Sequence, residues 1–213
     1  MSKDLPPRLH QEIPLWQSGL KYLAGLDEAG RGAWAGPVAA GAVILPPDMQ
    51  VAERLQGVRD SKQMTARQRE HWAQVIQSQA AAWAVGFASP QEIDQIGIVP
   101  ATRLSMQRAL QGLRLQAQYL LLDALLLPVV ELPQTALIRG DALCLSIAAA
   151  SVLAKTARDA LMRDMDDPHP GYAFACHKGY GTRQHQAALN CLGPCEIHRM
   201  SFAPLQALQQ ASQ

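Results

Sequence analysis

The sequence predicts an α/β fold in which helices flank a central sheet of mixed strand sense. Three observations support this prediction. Two apolar segments precede the first helical pattern, further apolar segments then alternate with helical patterns, and 48% of the 213 residues are hydrophobic. Alternating strands and helices indicate an α/β sheet, and a chain of this length and apolar content can bury its own core.

The first half of the chain is predicted to form two strands, a helix and a third strand. Residues 22–26 and 37–45 are the first two strands, joined as a hairpin by a glycine-rich turn. The second is apolar throughout, which indicates burial on both faces. Thr65 and Gln68 form a capping-box pattern that begins a helix to about residue 79, and residues 81–87 form the next strand.

The second half continues the alternation of helices and strands. The predicted elements are a helix, a strand, a short strand and a long helix, at residues 100–116, 119–127, 136–138 and 143–165. Three alanines at 148–150 would let the long helix lie close against the sheet. The Asp-Pro-His-Pro-Gly sequence at 167–171 ends it.

The last segment, residues 176–213, is predicted to be a small helical extension of a main domain at residues 1–175. It contains a polar loop at 177–182 and a helix at 183–192. The glutamine-rich end, residues 206–213, is expected to fray.

Composition and charge restrict the function classes. The formal net charge is only +1, so any contact with nucleic acid must be local. No apolar signal segment begins the chain, and Asp123 and Lys155 interrupt its apolar runs, so we expect a soluble, cytoplasmic protein without a membrane span. Its four cysteines are then expected to be reduced, and the spacing of Cys191, Cys195 and His198 matches no common zinc template.

The segment at residues 25–32, GLDEAGRG, concentrates the chemistry of the chain. Asp27 and Glu28 are hard oxygen ligands of the kind that bind Mg²⁺ or Mn²⁺, and the glycines let a sugar or phosphate approach the backbone. Adjacent residues of a strand point to opposite faces, so both carboxylates serve one metal cluster only if the strand ends there and the chain turns. A turn aspartate beside a solvated glutamate would explain the pair equally well.

Two further aspartates are candidates for the same site. Asp123 lies in an apolar run, where an unpaired buried carboxylate costs several kcal/mol. Either Asp123 serves a functional site, or the strand ends at Leu122 and Asp123 is an exposed turn residue. Asp141 precedes the long helix and suits its N-cap, a role compatible with metal binding. Four carboxylates from distant parts of one sheet are typical of sites that hold two divalent ions for phosphodiester cleavage.

The chain resembles ribonuclease HII, the prokaryotic type 2 ribonuclease H, over roughly residues 22–204. The motifs that carry the resemblance follow in the family's order: GLDEAGRG at 25–32, GPVAA at 36–40, DSK at 60–62, GD at 140–141, SIAAASVLAK at 146–155, RD at 158–159, HKGYGT at 177–182 and HRMSF at 198–202. The resemblance implies a ribonuclease H-like fold, with a catalytic domain at residues 1–175 and a C-terminal helical substrate-binding extension at residues 176–213.

The resemblance also implies an activity. The family hydrolyses RNA in RNA/DNA hybrids and nicks duplex DNA on the 5′ side of a single embedded ribonucleotide, leaving 3′-hydroxyl and 5′-phosphate ends. Such an enzyme serves in the removal of ribonucleotides and RNA primers from DNA. The implied ligands of two Mg²⁺ or Mn²⁺ ions are Asp27, Glu28, Asp123 and Asp141, with Asp27 as the bridging ligand.

Substrate recognition is expected from two loops. Backbone groups of Gly30, Arg31 and Gly32 can sense a lone 2′-hydroxyl, which both donates and accepts a hydrogen bond. The resemblance implies that Tyr180 contacts the same hydroxyl and packs on the neighbouring deoxyribose. The candidates for phosphate contacts are Lys62 and Lys178, followed by Lys155 and Arg183. Packing or helix-surface roles are expected for Ser151 and Asp159.

Two positions depart from the family pattern. Ala124 stands where a glycine usually follows the aspartate, and Gly97 stands where an asparagine is common. A positive φ at Ala124 would be strained.

Two alternative functions are disfavoured. Ribonuclease HIII is disfavoured because the 26 residues before Asp27 leave no room for its N-terminal domain. A catalytically silent hybrid-binding module is disfavoured by the four carboxylates. We expect a monomer with no obligate protein partner.

Overall fold

The computed structural model describes residues 8–211. Its five strands form one sheet in the order β3-β2-β1-β4-β5. Neighbouring strands among β1, β2 and β3 pair antiparallel, whereas β4 pairs parallel with both β1 and β5, so the predicted mixed sheet is confirmed. The strands are β1 (Leu23–Ala29), β2 (Val38–Ile44), β3 (Ala82–Ala88), β4 (Tyr119–Asp123) and β5 (Gln134–Leu137).

Within the described residues, ten α-helices and one short 3-10 helix (Ser61–Gln63) surround the sheet. The α-helices are α1 (Glu12–Gln17), α2 (Val51–Arg54), α3 (Ala66–Gln79), α4 (Pro90–Ile96), α5 (Ile98–Gln111), α6 (Gly140–Leu143), α7 (Leu145–Asp164), α8 (Phe174–His177), α9 (Arg183–Leu192) and α10 (Ala203–Ala211). None of these described helices is long and apolar enough to cross a membrane.

Helix α7 covers one face of the sheet and α5 covers the other. On the α7 face, a Cβ at Gly25 or Gly41 would lie 2.3 Å from the backbone of α7. The three alanines at 148–150 belong to the same core cluster, so the predicted close approach of this helix is confirmed. The opposite face packs Leu26 and its neighbours against Met106 of α5.

Strand β1 continues through both acidic residues. Glu28 pairs with Ala40 and Ala29 with Ala39, so the expected end of the strand before Asp27 is wrong. Its partner strand β2 extends the ladder, and the chain turns only at Gly30, where φ is +92°. By strand alternation, Asp27 therefore shares the α7 face with Gly25 and Glu28 points to the opposite face. Glu28 nevertheless lies one residue from the end of the strand, close enough for its charge to raise the pKa of Asp27.

Two other boundaries near the site differ from the prediction. Strand β4 ends at Asp123 rather than at residue 127, because Ala124 adopts a left-handed conformation with φ of 57°. Asp141 lies inside α6, so its assignment as N-cap of the long helix is wrong. Glu12 caps that helix instead: its Oε1 accepts hydrogen bonds from the backbone N–H and the hydroxyl of Ser146, at 2.9 and 2.8 Å.

The C-terminal segment packs against the rest of the chain through an apolar cluster. Its buried members are Ala35, Met162, Tyr172, Phe174, Leu189 and Leu205. Helix α10 contains Leu205, so the expected fraying from residue 206 is wrong up to residue 211, while residues 212–213 lie outside the described residues. All four cysteines are free.

Candidate active site

The structure brings the four candidate carboxylates to one edge of the sheet. Asp27 and Glu28 lie on β1, Asp123 ends the adjacent parallel strand β4, and Asp141 lies on α6, which follows β5. Leu26 pairs with Leu122, so the next position along the two strands places Asp27 beside Asp123 on the α7 face.

Burial and mutual repulsion raise the pKa values of Asp27, Glu28 and Asp141 and so favour their neutral forms. Burial raises the pKa of Asp27 well above its usual value, and the charges of Glu28 and Asp123 add to this effect. Burial also raises the pKa of Glu28, although Arg31 opposes it by donating to Oε1 at 3.1 Å. The pKa of Asp141 is raised by burial and by neighbouring aspartates.

The donor set fits a divalent metal ion. Every side chain offers carboxylate oxygens, the ligands that Mg²⁺ and Mn²⁺ prefer. Glu28 Oε2 is buried and has no hydrogen-bond partner among the described residues. Such an oxygen is costly unless a cation or a donor meets it, so the cluster has both the carboxylate ligands and the free acceptor that a cation requires.

Two of the carboxylates are held in place by hydrogen bonds. Asp27 Oδ1 accepts from the backbone N–H of Glu28 at 2.7 Å, and the hydroxyl of Ser151 lowers the pKa of Asp27 against the effect of burial. That hydroxyl lies 2.8 Å from the hydroxyl of Ser61, so Ser151 links α7 to the turn at residues 60–63. Asp123 Oδ1 accepts from the backbone N–H of Gly140 at 2.7 Å, which links the end of β4 to the start of α6.

Lys62 is the candidate phosphate contact nearest to the carboxylates. Its Nζ lies 3.7 Å from Asp141 Oδ2, and its side chain is 75% exposed. Burial lowers the pKa of Lys62, but the attraction of Asp141, Asp27 and their neighbours outweighs it and raises the pKa. The ammonium is therefore held charged between the acidic cluster and solvent.

Asp159 anchors the turn that carries Lys62. It is buried between Arg69 and Lys155, with N···O distances of 3.0 and 2.7 Å. Arg69 also donates to the carbonyl of Ser61 at 3.2 Å. Asp159 therefore fixes the turn at residues 60–63, a role that its place on α7 did not reveal in the sequence.

The two glycines of the Gly-Arg-Gly turn have different surroundings. A Cβ at Gly30 would lie 2.0 Å from Nε of Arg158, whereas one at Gly32 would meet no heavy atom within 4 Å. Gly30 is buried and Gly32 is exposed. The expectation that both glycines make room for a substrate therefore holds geometrically only for Gly32, because the space at Gly30 is filled by the protein itself.

Tyr180 lies beside this turn. The backbone N–H groups of Trp34 and Ala35 donate to the carbonyl of Gly179 at 2.8 and 3.2 Å, which joins the loop at 30–37 to the loop at 178–181. The ring of Tyr180 is half-buried, with Lys155 Nζ and Arg158 Cζ at 5.2 and 5.3 Å from its centroid.

The remaining candidate phosphate contacts differ in how free they are. Lys155 is engaged by Asp159 and Tyr180. Lys178 donates from Nζ to the carbonyl of Ala175, and burial lowers its pKa. Arg183 is exposed at the first turn of α9.

A second cluster of titratable side chains, His177, His185 and His198, lies in the C-terminal segment. Burial lowers the pKa of each ring, to about 4 for His185. His185 Nδ1 donates to the carbonyl of Tyr180 at 3.0 Å, so its Nε2 accepts from His198 Nε2, also at 3.0 Å. His198 Nδ1 then accepts from the backbone N–H of Cys195 at 2.9 Å, which leaves no lone pair for zinc.

Comparisons with known proteins identify the family of the chain. The family model for ribonuclease HII matches residues 24–205. Ribonuclease HII of Synechococcus sp. (strain JA-3-3Ab) is 51% identical over 209 residues, which are 98% of this chain and 94% of the relative.

Solved structures share the fold. The ribonuclease H2 from Pyrococcus horikoshii OT3 superposes with a TM-score of 0.74 and 26% identity, over 89% of this chain and 97% of that one. The PCNA:RNase HII complex from Archaeoglobus fulgidus gives a TM-score of 0.70 and 23% identity, over 84% and 92%. The chain belongs to the ribonuclease HII family, and it is a metal-dependent ribonuclease H of type 2 that acts on RNA paired with DNA.

Proposed function

We propose that this enzyme nicks duplex DNA on the 5′ side of a single embedded ribonucleotide, as well as cleaving RNA/DNA hybrids, and leaves 3′-hydroxyl and 5′-phosphate ends. The observation that supports this proposal is the cluster of four carboxylates beside a turn with an open backbone at Gly32. The nick would begin the removal of ribonucleotides from DNA, and cleavage of hybrids would serve in the removal of RNA primers.

The proposed metal ligands are Asp27, Glu28, Asp123 and Asp141. Two Mg²⁺ or Mn²⁺ ions held there would supply Lewis acidity for activating a water and stabilising the leaving oxygen. Asp27 is the proposed bridging ligand, and the backbone N–H of Glu28 restricts its orientation. Burial raises the pKa of Asp27, and a bound cation would act in the opposite direction by favouring the ionised form.

The proposed reader of the 2′-hydroxyl is the backbone of Gly30, Arg31 and Gly32. Tyr180 is proposed to contact the same hydroxyl and to pack on the adjacent deoxyribose. The hydrogen bonds between the two loops support this pairing, because they keep Tyr180 beside the turn. Residues 176–213 then act as the substrate-binding extension of the catalytic domain at residues 1–175, which supplies all four carboxylates.

Phosphate contacts are assigned to Lys62 and Lys178. The exposed side chain of Lys62 beside Asp141 supports its assignment. Lys178 uses one of its three N–H donors on Ala175, so two remain for a phosphate. Each contact should add to the salt dependence of binding. We propose that the enzyme acts as a monomer without an obligate protein partner.

The test is cleavage of an end-labelled DNA duplex that contains one ribonucleotide, with Mg²⁺, Mn²⁺ or EDTA. An all-DNA duplex and an RNA/DNA hybrid are the controls. We expect a metal-dependent nick immediately 5′ of the ribonucleotide and no cut in the all-DNA duplex. Cleavage of the hybrid alone would overturn the proposed nicking, and binding without any cleavage would identify a silent binding module.

A further inference from the structure

We propose that Arg158 and Arg199 are positioning residues that join the two recognition loops into one substrate-reading surface. They would aim the backbone N–H groups of the Gly-Arg-Gly turn and hold Tyr180 in register with them. This inference rests on the proposed function of the two loops.

Arg199 holds the inner side of the Gly-Arg-Gly turn. It is 0% exposed, and it donates to the carbonyls of Gly36, Arg31 and Gly30 at 2.9, 2.8 and 2.7 Å. In a planar trans peptide, the C=O of one residue and the N–H of the next point in opposite directions. With the carbonyls of Gly30 and Arg31 turned toward Arg199, the N–H groups of Arg31 and Gly32 therefore point away from it, toward a substrate.

Arg158 connects that turn to the loop of Tyr180. It is also 0% exposed, and it donates to Pro37 and Ala35 in the first loop at 2.8 and 3.1 Å and to Lys178 in the second at 2.9 Å. Its guanidinium lies 5.3 Å from the centre of the Tyr180 ring. Together with the backbone hydrogen bonds from Trp34 and Ala35 to Gly179, this side chain therefore holds the two loops against each other, and Gly30 leaves the space that it occupies.

Burying these two guanidinium groups costs free energy. Among the described residues their hydrogen bonds all end at carbonyl oxygens, so neither charge gains the bidentate carboxylate partner that usually offsets burial. Burial and the nearby Arg158 lower the pKa of Arg199 to about 9. The three nitrogens of the planar fork reach carbonyls that lie apart, whereas the three donors of an ammonium share one nitrogen, and the positive charge lies beneath a loop that must meet phosphates.

The inference predicts different losses on two substrates. Both a single-ribonucleotide duplex and a continuous RNA/DNA hybrid offer a 2′-hydroxyl, but only the first offers the adjacent deoxyribose to Tyr180. Replacing Arg158 by lysine keeps the charge and loses the bridge. We expect its kcat/KM on the duplex to fall about tenfold more than on the hybrid, since small misplacements of positioning groups have effects of this size.

Replacing Arg199 by lysine should act on both substrates. We expect KM to rise about tenfold on each substrate, with kcat changed less than about threefold. The reason is that the N–H groups that bind the sugar are no longer held in their orientation, while the carboxylates stay in place. The matched control is Arg114→Lys. Arg114 also donates twice to a backbone carbonyl, that of Ala81 at 2.9 and 2.7 Å, but at the opposite end of the sheet, so wild-type kinetics are expected.

A double-mutant cycle decides whether Arg158 acts through Tyr180. In a Tyr180→Ala background, Arg158→Lys should no longer change the ratio of the two kcat/KM values. Equal losses on both substrates in the single variant, or an unchanged effect in the Tyr180→Ala background, would overturn the proposal in favour of a purely structural role. Thermal unfolding identifies a variant that fails to fold. If Arg158→Lys does not fold, the cycle is run with Arg199→Lys. A fall in kcat with an unchanged KM in that variant would then contradict the proposal. If the wild-type enzyme itself does not cut the single-ribonucleotide duplex, the proposed function fails before the arginines are tested.

Discussion

The carboxylate cluster and the histidine cluster both bury titratable side chains, but they meet their hydrogen-bonding needs differently. Burial raises the pKa of Asp27, Glu28 and Asp141, and it lowers the pKa of the three histidines, so both environments favour the neutral form. His185 and His198 form a chain of hydrogen bonds as neutral tautomers, and His177 donates to the carbonyl of Tyr172 and accepts from the N–H of Gly179. The carboxylates instead retain a buried oxygen, Glu28 Oε2, without a partner among the described residues.

This difference distinguishes the two clusters, although an unpartnered oxygen alone does not mark a site, since Glu12 Oε2, on the residue that caps α7, is another. A perturbed pKa alone does not do so, because both groups show it. The histidine cluster gains nothing from an added ligand, since its donors and acceptors already pair. The carboxylate cluster is a destabilising feature that a cation would relieve, which is the usual cost of a site kept ready for a ligand.

The largest expected effect comes from Asp27→Asn. The amide keeps the shape and the bond to the Glu28 N–H but removes the charge, so cleavage should fall by about 10³-fold, the equivalent of the several kcal/mol that metal-assisted charge stabilisation supplies. Single-turnover cleavage of a single-ribonucleotide duplex measures this loss. The all-DNA duplex gives the background rate.

The same variant should be more stable than the wild type in EDTA. The folded-state pKa of Asp27 lies above its unfolded value, so the stability of the folded state decreases as the pH rises through the folded pKa. Removing the carboxylate removes that penalty, and the melting temperature should rise by about 2–4 °C for each kcal/mol recovered. Asp167→Asn, at an exposed position, is the control. A lower melting temperature in EDTA for Asp27→Asn would show that the carboxylate is structural, like the histidines.

The two glycines of the turn give the next largest effect. Gly32→Ala should melt within about 1 °C of the wild type, because its Cβ meets no atom, while cleavage falls about 10- to 100-fold as the methyl group obstructs the substrate. Gly30→Ala should instead destabilise the protein by about 2–3 kcal/mol, because a φ of +92° is unfavourable and the Cβ overlaps Arg158. Urea unfolding and cleavage are measured on both.

Gly19→Ala separates the two causes of that destabilisation. Gly19 has a similar φ of +98° but no heavy atom within 4 Å of an added Cβ. Its substitution should cost only the backbone strain, about 1 kcal/mol. Equal costs at positions 19 and 30 would mean that Arg158 moves aside easily, which would weaken its proposed role.

The sequence reveals the parts of the site that depend on residue type and order. Asp27, Glu28, Asp123 and Asp141 were found because charged residues beside apolar strands, in motifs that match a family, are visible locally. The capping box at Thr65 was equally readable and is confirmed by its hydrogen bonds. The capping box at Ser89, which begins α4, carried the same signal and was missed.

The parts that could not be read depend on distant partners. Strand β1 extends past Glu28 because β2 pairs with it, and β4 stops at Asp123 although residues 125–127 are all leucine. Arg158 and Arg199 look like ordinary helix and loop residues until their carbonyl partners, more than 100 positions away in five of six bonds, are known. Long-range pairing decides such roles, and a local pattern does not contain it.

The smallest expected effect tests the histidine cluster through pH. A ring whose folded-state pKa is lowered, as for His185 at about 4 against an ordinary 6.5, contributes stability that is present above pH 6.5 and is lost as the pH falls toward 4. The carboxylates with raised pKa values change stability in the opposite direction over the same range. His185→Gln isolates the histidine contribution, because glutamine can donate to Tyr180 and accept from His198 without titrating.

Urea unfolding in EDTA at pH 7 and pH 4.5 then measures the free energy of unfolding of the wild type and of His185→Gln. Between these pH values the free energy of unfolding of the wild type should fall by about 2 kcal/mol more than that of His185→Gln. Each unit of pKa shift corresponds to about 1.36 kcal/mol, and partial solvent screening reduces the total. His71→Gln, at an exposed position, should follow the wild type. Equal pH dependence in the wild type and His185→Gln would show that the ring remains protonated or solvated in the folded state. The histidine cluster would then lack the closed set of neutral hydrogen bonds that distinguishes it from the carboxylates.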